Sequence, residues 1–124
     1  MNLKRLPDAE FEIMKIIWRS EQPITMRGII NQMGPSRSWK PQTVLTFLAR
    51  LIEKKFLSTE KVGNSRNYIP TITEEDYMRI ETGGFLSRYR GNSLGSLVRT
   101  MYDGEELSSE DIQELKAWLN ERER

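Results

Sequence analysis

The 124-residue sequence contains no cysteine and no histidine. Without cysteine, the chain has no disulfide bond and no thiolate metal site, and its redox compartment cannot be inferred. An enzyme would also lack the most common nucleophile, general base and metal ligand. The carboxylates cluster at predicted helix starts, where capping accounts for them. We therefore expect a protein that is not an enzyme and uses no cofactor or metal.

Long apolar runs are absent as well. The longest runs are only a few residues, far short of the ~20 needed to cross a bilayer. The first residues also lack the apolar core of a signal peptide. Hydrophobic residues make up 37% of the chain and charged residues 30%. The composition therefore predicts a soluble, cytoplasmic protein that does not insert into a membrane.

The net charge of +1 hides an uneven distribution. Residues 1–70 contain 12 Lys and Arg against 6 Asp and Glu, whereas residues 71–124 contain 7 against 12, so the halves carry +6 and −5. A basic half favours a polyanionic partner, because phosphate contacts supply most non-specific affinity for nucleic acids. Solvated helix faces of differing sign are the alternative explanation.

Residues 39–70 are the most informative part of the chain. An amphipathic helix is predicted over 41–55, with Pro41 suited to the first helical position. Strands are predicted over 57–62 and 66–70, around the turn Gly63-Asn64-Ser65. A helix followed by a basic hairpin suits duplex DNA, with the helix in the major groove and the hairpin on the backbone. A winged-helix module that binds another protein is the alternative.

The helix predicted over 41–55, the third in chain order, has two faces. The residues expected to face inward are Val44, Leu45, Leu48, Leu51 and Ile52. Thr43, Thr46 and Arg50, at spacing i, i+3 and i+7, share the opposite face, and Gln42 flanks them. Polar side chains on such a face can carry sequence preference in the major groove. They could equally be solvated without contacting DNA.

Five cations of this region are candidates for phosphate contacts. They are Lys40, Arg50, Lys54, Lys61 and Arg66. Arg50 could also contact a base edge, since Arg pairs well with guanine. Each has an ordinary alternative: Arg50 could pair with Glu53 or Glu60, and Lys54 could be a cation favoured by the helix C-terminus.

Two shorter helices are predicted before this region, over 8–19 and 26–33, from apolar residues at helical spacing. Asp8 and Thr25 are suited to cap them. We interpret Trp18 and Trp39 as anchors of a core or an interface.

Three further helices are predicted after residue 72. Capping patterns open the fourth at 73–76 and the sixth at 108–111, and Asp103-Gly104 ends the fifth. Gly83-Gly84 is expected to bend or break the fourth helix, because each Gly costs about 1 kcal/mol relative to Ala. We expect residues 1–72 to form a DNA-binding domain and residues 73–124 to form a separate helical domain.

The C-terminal helices carry more apolar residues than they can bury alone, because segments of about 50 residues without staples are marginal. The residues expected to pair with a second copy of the chain are Tyr77, Ile80, Phe85, Tyr89, Leu94, Leu97, Val98, Met101, Ile112, Leu115, Trp118 and Leu119. The alternative is that these helices fold back onto their own N-terminal domain.

Several segments resemble one known family. They are LPDAEFEIMKIIW at 6–18, WKPQTV at 39–44, LARLIEKK at 48–55, YIP at 68–70, EDY at 75–77, FLSR at 85–88 and LSSEDI at 107–112. Together they are similar to the penicillinase repressor and methicillin-resistance regulator family, in register over nearly the whole chain.

The resemblance implies a mainly α fold with a small β wing. An N-terminal winged helix-turn-helix would precede a C-terminal helical dimerisation domain. Members of this family are homodimers that bind palindromic operators in double-stranded DNA and repress β-lactamase and related genes. A membrane sensor detects a β-lactam, and a protease linked to it cuts the repressor.

Carried over by position, the resemblance also implies DNA-contacting residues. On the recognition helix they are Gln42, Thr43, Thr46 and Arg50, with Trp39 and Lys40 at its entrance. Arg66 and Tyr68 would serve the wing.

Three positions depart from the family. Gln42 stands where members often carry Lys, and Gln favours adenine through a bidentate amide contact. Phe56 stands where many members have Gly; a left-handed Phe56 would cost about 1–2 kcal/mol, and otherwise the turn has changed. Thr100-Met101 occupies the position of the family's Asn-Phe cleavage bond. It is the candidate proteolytic switch, although its residues argue against cleavage there. The absence of cysteine argues against the copper-responsive relatives.

Overall fold

The computed structural model describes residues 4–34 and 38–123. The chain divides into two compact units, the first ending at Phe85 and the second beginning at Leu86. In chain order the elements are α1 (Asp8–Trp18), β1 (Ile24–Thr25), α2 (Met26–Gln32), α3 (Pro41–Glu53), β2 (Leu57–Val62), β3 (Ser65–Pro70), α4 (Glu74–Arg88), α5 (Leu94–Asp103) and α6 (Ser109–Arg122). The prediction of a mainly α fold with a small β wing is confirmed.

The wing is the hairpin of β2 and β3. Val62 pairs with Ser65, which leaves Gly63 and Asn64 as a two-residue turn. Gly63 has φ +63°, and Asn64 does not have a positive φ. This is the pattern of a type II′ turn, whose twist matches that of the strands.

A third strand, β1, pairs antiparallel with β3 through Ile24 and Tyr68, which gives the sheet order β1-β3-β2. The sequence did not predict it, because two residues carry no recognisable alternation. β1 ties the start of α2 to the base of the wing.

The core of the first unit is formed by thirteen buried side chains: Leu6, Ile13, Met14, Ile17, Ile24, Ile29, Val44, Leu48, Leu51, Phe56, Leu57, Tyr68 and Tyr77. The inward stripe predicted for α3 is confirmed at Val44, Leu48 and Leu51, and Ile52 packs against the same core. The prediction was wrong at Leu45, which is 39% exposed. Leu45 lies at the edge of the stripe, where α3 faces an open groove.

An aromatic cluster joins the start of α4 to the rest of the first unit. The ring of Tyr77, only 1% exposed, lies 5.6 Å from Phe11, 5.6 Å from Trp18 and 5.5 Å from Phe56. Trp18 also donates its indole N–H to the carbonyl of Ile72 at 2.8 Å. The beginning of α4 is therefore held against α1 and the turn after α3.

The hydroxyl of Tyr77 is fully used inside this cluster. It accepts a hydrogen bond from the backbone N–H of Leu6 at 2.6 Å and donates one to Glu81 at 2.6 Å. Burial, followed by the hydrogen bond to Glu81, raises the pKa of Tyr77 above its ordinary value. The phenol therefore stays protonated and remains a donor throughout the neutral range.

The first unit extends further along the chain than the expected boundary at residue 72. Ile80 also packs against the core of the first unit, and the unit continues to Phe85. The functional division into a DNA-binding and a dimerisation region stays a prediction. Tyr77, however, lies inside the first unit, so its side chain is not available to a second copy.

The expected break at Gly83-Gly84 does not occur, because α4 is continuous from Glu74 to Arg88. A β-carbon added at either glycine would meet open space, so close packing does not require glycine there. Each glycine weakens a helix by about 1 kcal/mol relative to Ala, which lowers the stability of α4 without breaking it.

The second unit has well-capped helices but no buried residue among those described from 86 to 123. Ser93 caps α5 by accepting from the N–H of Ser96. Ser108 and Asp111 form the predicted capping box of α6. The helices are thus fixed locally, and their apolar side chains lack an interior of their own.

The turn after α3 shows how the chain accommodates Phe56 at a position where many members of the similar family have Gly. Lys55, not Phe56, is left-handed, with φ +73°. The N–H of Lys55 bonds the carbonyl of Ile52, and that of Phe56 bonds Leu51, which is the Schellman pattern of helix ends. Phe56 is thereby turned into the core beside Tyr77.

The left-handed backbone at Lys55 gives a stability prediction. Replacing Lys55 with Gly removes the strain of a side chain at positive φ and should raise the free energy of unfolding by about 1 kcal/mol. Denaturant unfolding measures the change. Lys55→Ala is the control, since it removes the same charge and keeps a β-carbon. Equal stability of the two variants would contradict the assignment.

Candidate nucleic-acid interface

The exposed face of α3 presents a row of polar side chains. Gln42, Thr46 and Arg50 are exposed, and Thr43 is half-buried. Thr46 donates its hydroxyl proton to the carbonyl of Gln42 at 3.0 Å. The lone pairs and methyl group of Thr46 stay available to a partner, as do the Gln42 amide and the Arg50 guanidinium.

Two aromatic rings lie beside this face at the start of α3. Trp39 packs edge-on against Phe47, with ring centroids 5.3 Å apart. The guanidinium of Arg50 lies 6.0 Å from the Phe47 ring. Among the described ion pairs, none joins Arg50 to Glu53 or Glu60, so the anticipated pairing is not seen. Arg50 is therefore oriented by an aromatic surface while its donors remain free.

Lys54 is differently placed from the other candidate cations. Its ammonium group lies 2.6 Å from the carboxylate of Glu10, and Glu10 is only 2% exposed. The pair joins α1 to the end of α3. We therefore assign Lys54 to holding the two helices together, since its charge is already balanced.

The wing carries its cations at the expected place. Lys61 and Arg66 are directly opposed in the hairpin, and both are exposed. Tyr68 is only 4% exposed, because its side chain points into the core where β3 pairs with β1. Tyr68 thus positions the wing and does not present its ring on the surface.

An open groove lies between α3, the start of α2 and the wing. It is lined by Thr25, Met26, Arg27, Leu45, Asn64, Ser65, Arg66 and Tyr68. Arg27 was missed by the sequence analysis. The signal was available, because Met26, Ile29, Ile30 and Met33 form the apolar side of the predicted helix over 26–33 and leave Arg27 off that side. Arg27 and Arg66 give the groove two exposed cations beside polar turn residues.

The described residues show neither a metal site nor a membrane segment. No group of three or more Asp or Glu side chains among them is arranged to hold a metal ion. Within 4–34 and 38–123, no helix combines the length and apolar character needed to cross a membrane.

The residues predicted for dimerisation fall into three groups. Tyr77 is buried and Ile80 half-buried in the first unit. Of the others, those that are exposed are Phe85, Tyr89, Leu94, Leu115, Trp118 and Leu119, and those that are half-buried are Leu97, Val98, Met101 and Ile112. All of these except Phe85, which ends the first unit, belong to the second unit, which therefore presents several exposed apolar side chains. Thr100-Met101 lies within α5, where Thr100 donates to the carbonyl of Ser96 at 3.0 Å.

Comparison with known proteins gives a consistent result. The family model described as penicillinase repressor matches residues 6–121. The penicillinase repressor of Bacillus licheniformis is 36% identical over 122 residues, covering 96% of this chain and 94% of that protein. The methicillin resistance regulatory protein MecI of Mammaliicoccus sciuri is 29% identical over 117 residues, covering 94% of each.

A solved structure is similar to about three-fifths of the chain. It is the solution structure of the monomeric form of Bacillus licheniformis BlaI in complex with the blaP half-operator. It matches with a TM-score of 0.51 and 37% identity, covering 61% of this chain and 92% of that chain.

The pair between Lys54 and Glu10 yields a prediction that separates structure from DNA contact. Lys54→Met leaves a buried carboxylate without its partner and should lower the free energy of unfolding by about 1–2 kcal/mol. A fully buried pair would cost more, but the Lys54 side chain is 40% exposed. Denaturant unfolding measures the loss. Lys40→Met removes an exposed cation that makes no ion pair with any described residue, and it should leave stability unchanged.

Proposed function

The chain belongs to the penicillinase repressor family of DNA-binding transcriptional repressors, and we propose that it acts as a homodimer on a palindromic operator. The regulated genes would be those of a β-lactamase or a related antibiotic response. The observation that carries the proposal is the exposed polar face of α3 beside a basic wing. A protein of similar fold and 37% identity binds a half-operator as a monomer. One N-terminal DNA-binding domain, called the reading head below, would therefore occupy each half-site.

The face of α3 supplies the groups needed to read a major groove. Gln42 can donate to and accept from adenine, and Arg50 can donate two hydrogen bonds to guanine. Thr43 and Thr46 contribute hydroxyl and methyl groups. Trp39, packed on Phe47, would fix the entry of the helix.

Exposed cations around this face would hold the DNA backbone. Lys40 precedes α3, Lys61 and Arg66 flank the wing tip, and Arg27 lies across the groove. Phosphate contacts position a protein without reading sequence. Lys54 is left out of this set because Glu10 occupies it.

The second unit supports the dimer. Its described residues include none that is buried, so its apolar side chains gain an interior only from a partner. A second copy would supply the same surface in return. Two linked heads would reach major grooves about 34–36 Å apart, and their avidity would exceed the affinity of one head.

Regulation would act on this pairing. Separation of the two copies removes the second half-site and with it the avidity. Cleavage at Thr100-Met101 by a protease linked to a membrane sensor would require local unfolding of α5, since this bond lies inside a helix.

A winged-helix module that binds another protein is the competing function. Salt separates the two, because affinity for DNA falls steeply as salt rises when phosphate contacts are made. Selection from a random duplex pool, followed by anisotropy titrations at several salt concentrations, tests binding and half-site symmetry together. Salt-independent or absent binding would favour the protein-binding module.

The reading face is tested by Arg50→Ala and Thr46→Ala. We expect Arg50→Ala to weaken binding to the selected duplex by roughly tenfold or more, since a lost bidentate base contact costs about 1–3 kcal/mol. Thr46→Ala should weaken it less. Both side chains are exposed, so stability should change little.

The matched control for Arg50 is Arg79→Ala, which removes an exposed cation from α4. It should leave affinity nearly unchanged. Binding by Arg50→Ala and Thr46→Ala that equals wild type would exclude this face of α3 as the reading surface.

The dimer is tested by placing a charge in the apolar stripe of α5. Leu97→Glu should dissociate the dimer, because a desolvated carboxylate without a partner is strongly unfavourable. Sedimentation at micromolar concentration measures the molecular mass. Thr100→Glu adds the same charge at an exposed position outside that stripe and should stay dimeric. A wild-type chain that sediments as a monomer would refute the proposal.

A further inference from the structure

Leu45 is exposed at the edge of the apolar stripe of α3, on the side of Gln42, although its neighbours in the stripe are buried. Its side chain is 39% exposed, whereas Val44 and Leu48 are 0% and 1% exposed. The exposed part of this apolar side chain lies on a helix whose outer face is largely polar, so it is open to contact by a ligand of α3.

The neighbours of Leu45 indicate which kind of ligand would suit it. Gln42 and Ala49 lie three residues before and four residues after it, so they share its side of the helix; both are exposed. The groove beside Leu45 is bordered by Arg27 and Arg66. The exposed Leu45 side chain thus lies among the Gln42 amide and the guanidinium groups of Arg27 and Arg66. This arrangement suits a ligand that carries anionic groups at its edge and one apolar group further inside.

Duplex DNA has such a group in the major groove. In the major groove, the 5-methyl group of thymine is the one apolar substituent on the edges of the bases, and aliphatic side chains contact it. We propose that Leu45 reads the 5-methyl group of a thymine in the half-site. This inference rests on the proposed binding of duplex DNA by α3.

Gln42 strengthens this assignment. It lies one turn before Leu45, and an amide side chain prefers adenine. Leu45 and Gln42 therefore favour A·T pairs at neighbouring positions, with Leu45 recognising thymine by its methyl group and Gln42 recognising adenine by hydrogen bonds. Leu45 adds specificity without charge, so it should not alter the salt dependence of binding.

Replacement of thymine by deoxyuridine tests the contact, because it removes only the methyl group. The probe is the duplex selected by the wild-type chain, with each thymine of one half-site replaced in turn. At one position we expect wild-type affinity to fall about three- to fivefold, the effect of losing one buried methyl contact. Leu45→Ala should bind thymine and deoxyuridine equally at that position and keep the wild-type salt slope.

Two controls separate the contact from folding. Leu45→Met keeps an apolar side chain and should retain part of the preference for thymine. Met78→Ala truncates an exposed apolar residue on α4 and should retain all of it. Thermal unfolding of each variant confirms that the first unit is intact.

Each outcome decides the matter. Salt-dependent binding without any sensitivity to deoxyuridine overturns the role of Leu45 and leaves the repressor proposal standing. If Leu45→Ala still binds deoxyuridine more weakly than thymine, another side chain makes the methyl contact, and the role of Leu45 is also overturned. Failure of the wild-type chain to select any duplex removes both proposals.

Discussion

The buried side chain of Tyr77 holds the start of α4 against the rest of the first unit, and the geometry of that unit depends on it. Its ring contacts aromatic rings from α1 and from the turn after α3. Its hydroxyl joins the backbone at Leu6 to the side chain of Glu81. Three separate segments of sequence thus meet at one phenol. The burial of Tyr77 also explains why the first unit extends into α4. Tyr77 was expected to contact a second copy of the chain, but its side chain packs inside the first unit.

The face of α3 that we propose to read DNA is held in place by residues packed behind it. Lys55 takes a left-handed conformation that turns Phe56 inward toward Tyr77, and the chain then enters β2 directly. The pair of Glu10 and Lys54 holds the end of α3 to α1, while Tyr68 anchors β3 beneath the wing. The exposed polar residues of α3 therefore stand on a rigid support. Such support is what a recognition surface requires, because specificity is lost when polar groups are poorly oriented.

Much of this could be predicted from the sequence, for physical reasons that also explain the failures. Helical periodicity and capping residues located the helices, and the alternation around Gly63-Asn64 located the wing. Periodicity could not place Leu45, because a residue at the edge of an apolar stripe is assigned by its chemistry alone. It also could not show that Tyr68 points inward or that Lys54 is paired, since these depend on contacts between residues distant in sequence. A glycine pair lowers helix stability without deciding the outcome, so α4 remained continuous where a break was expected.

The contrast between the two units limits how the protein can be regulated. Among its described residues the first unit buries thirteen apolar or aromatic side chains, which give it a core of its own. Among the described residues of the second unit none is buried, and in the proposed dimer its stability would be linked to association by mass action. A signal that weakens the pairing would also destabilise the helices that form it, while the head stays folded. Loss of repression would then follow from loss of avidity, with the affinity of each head for its half-site unchanged.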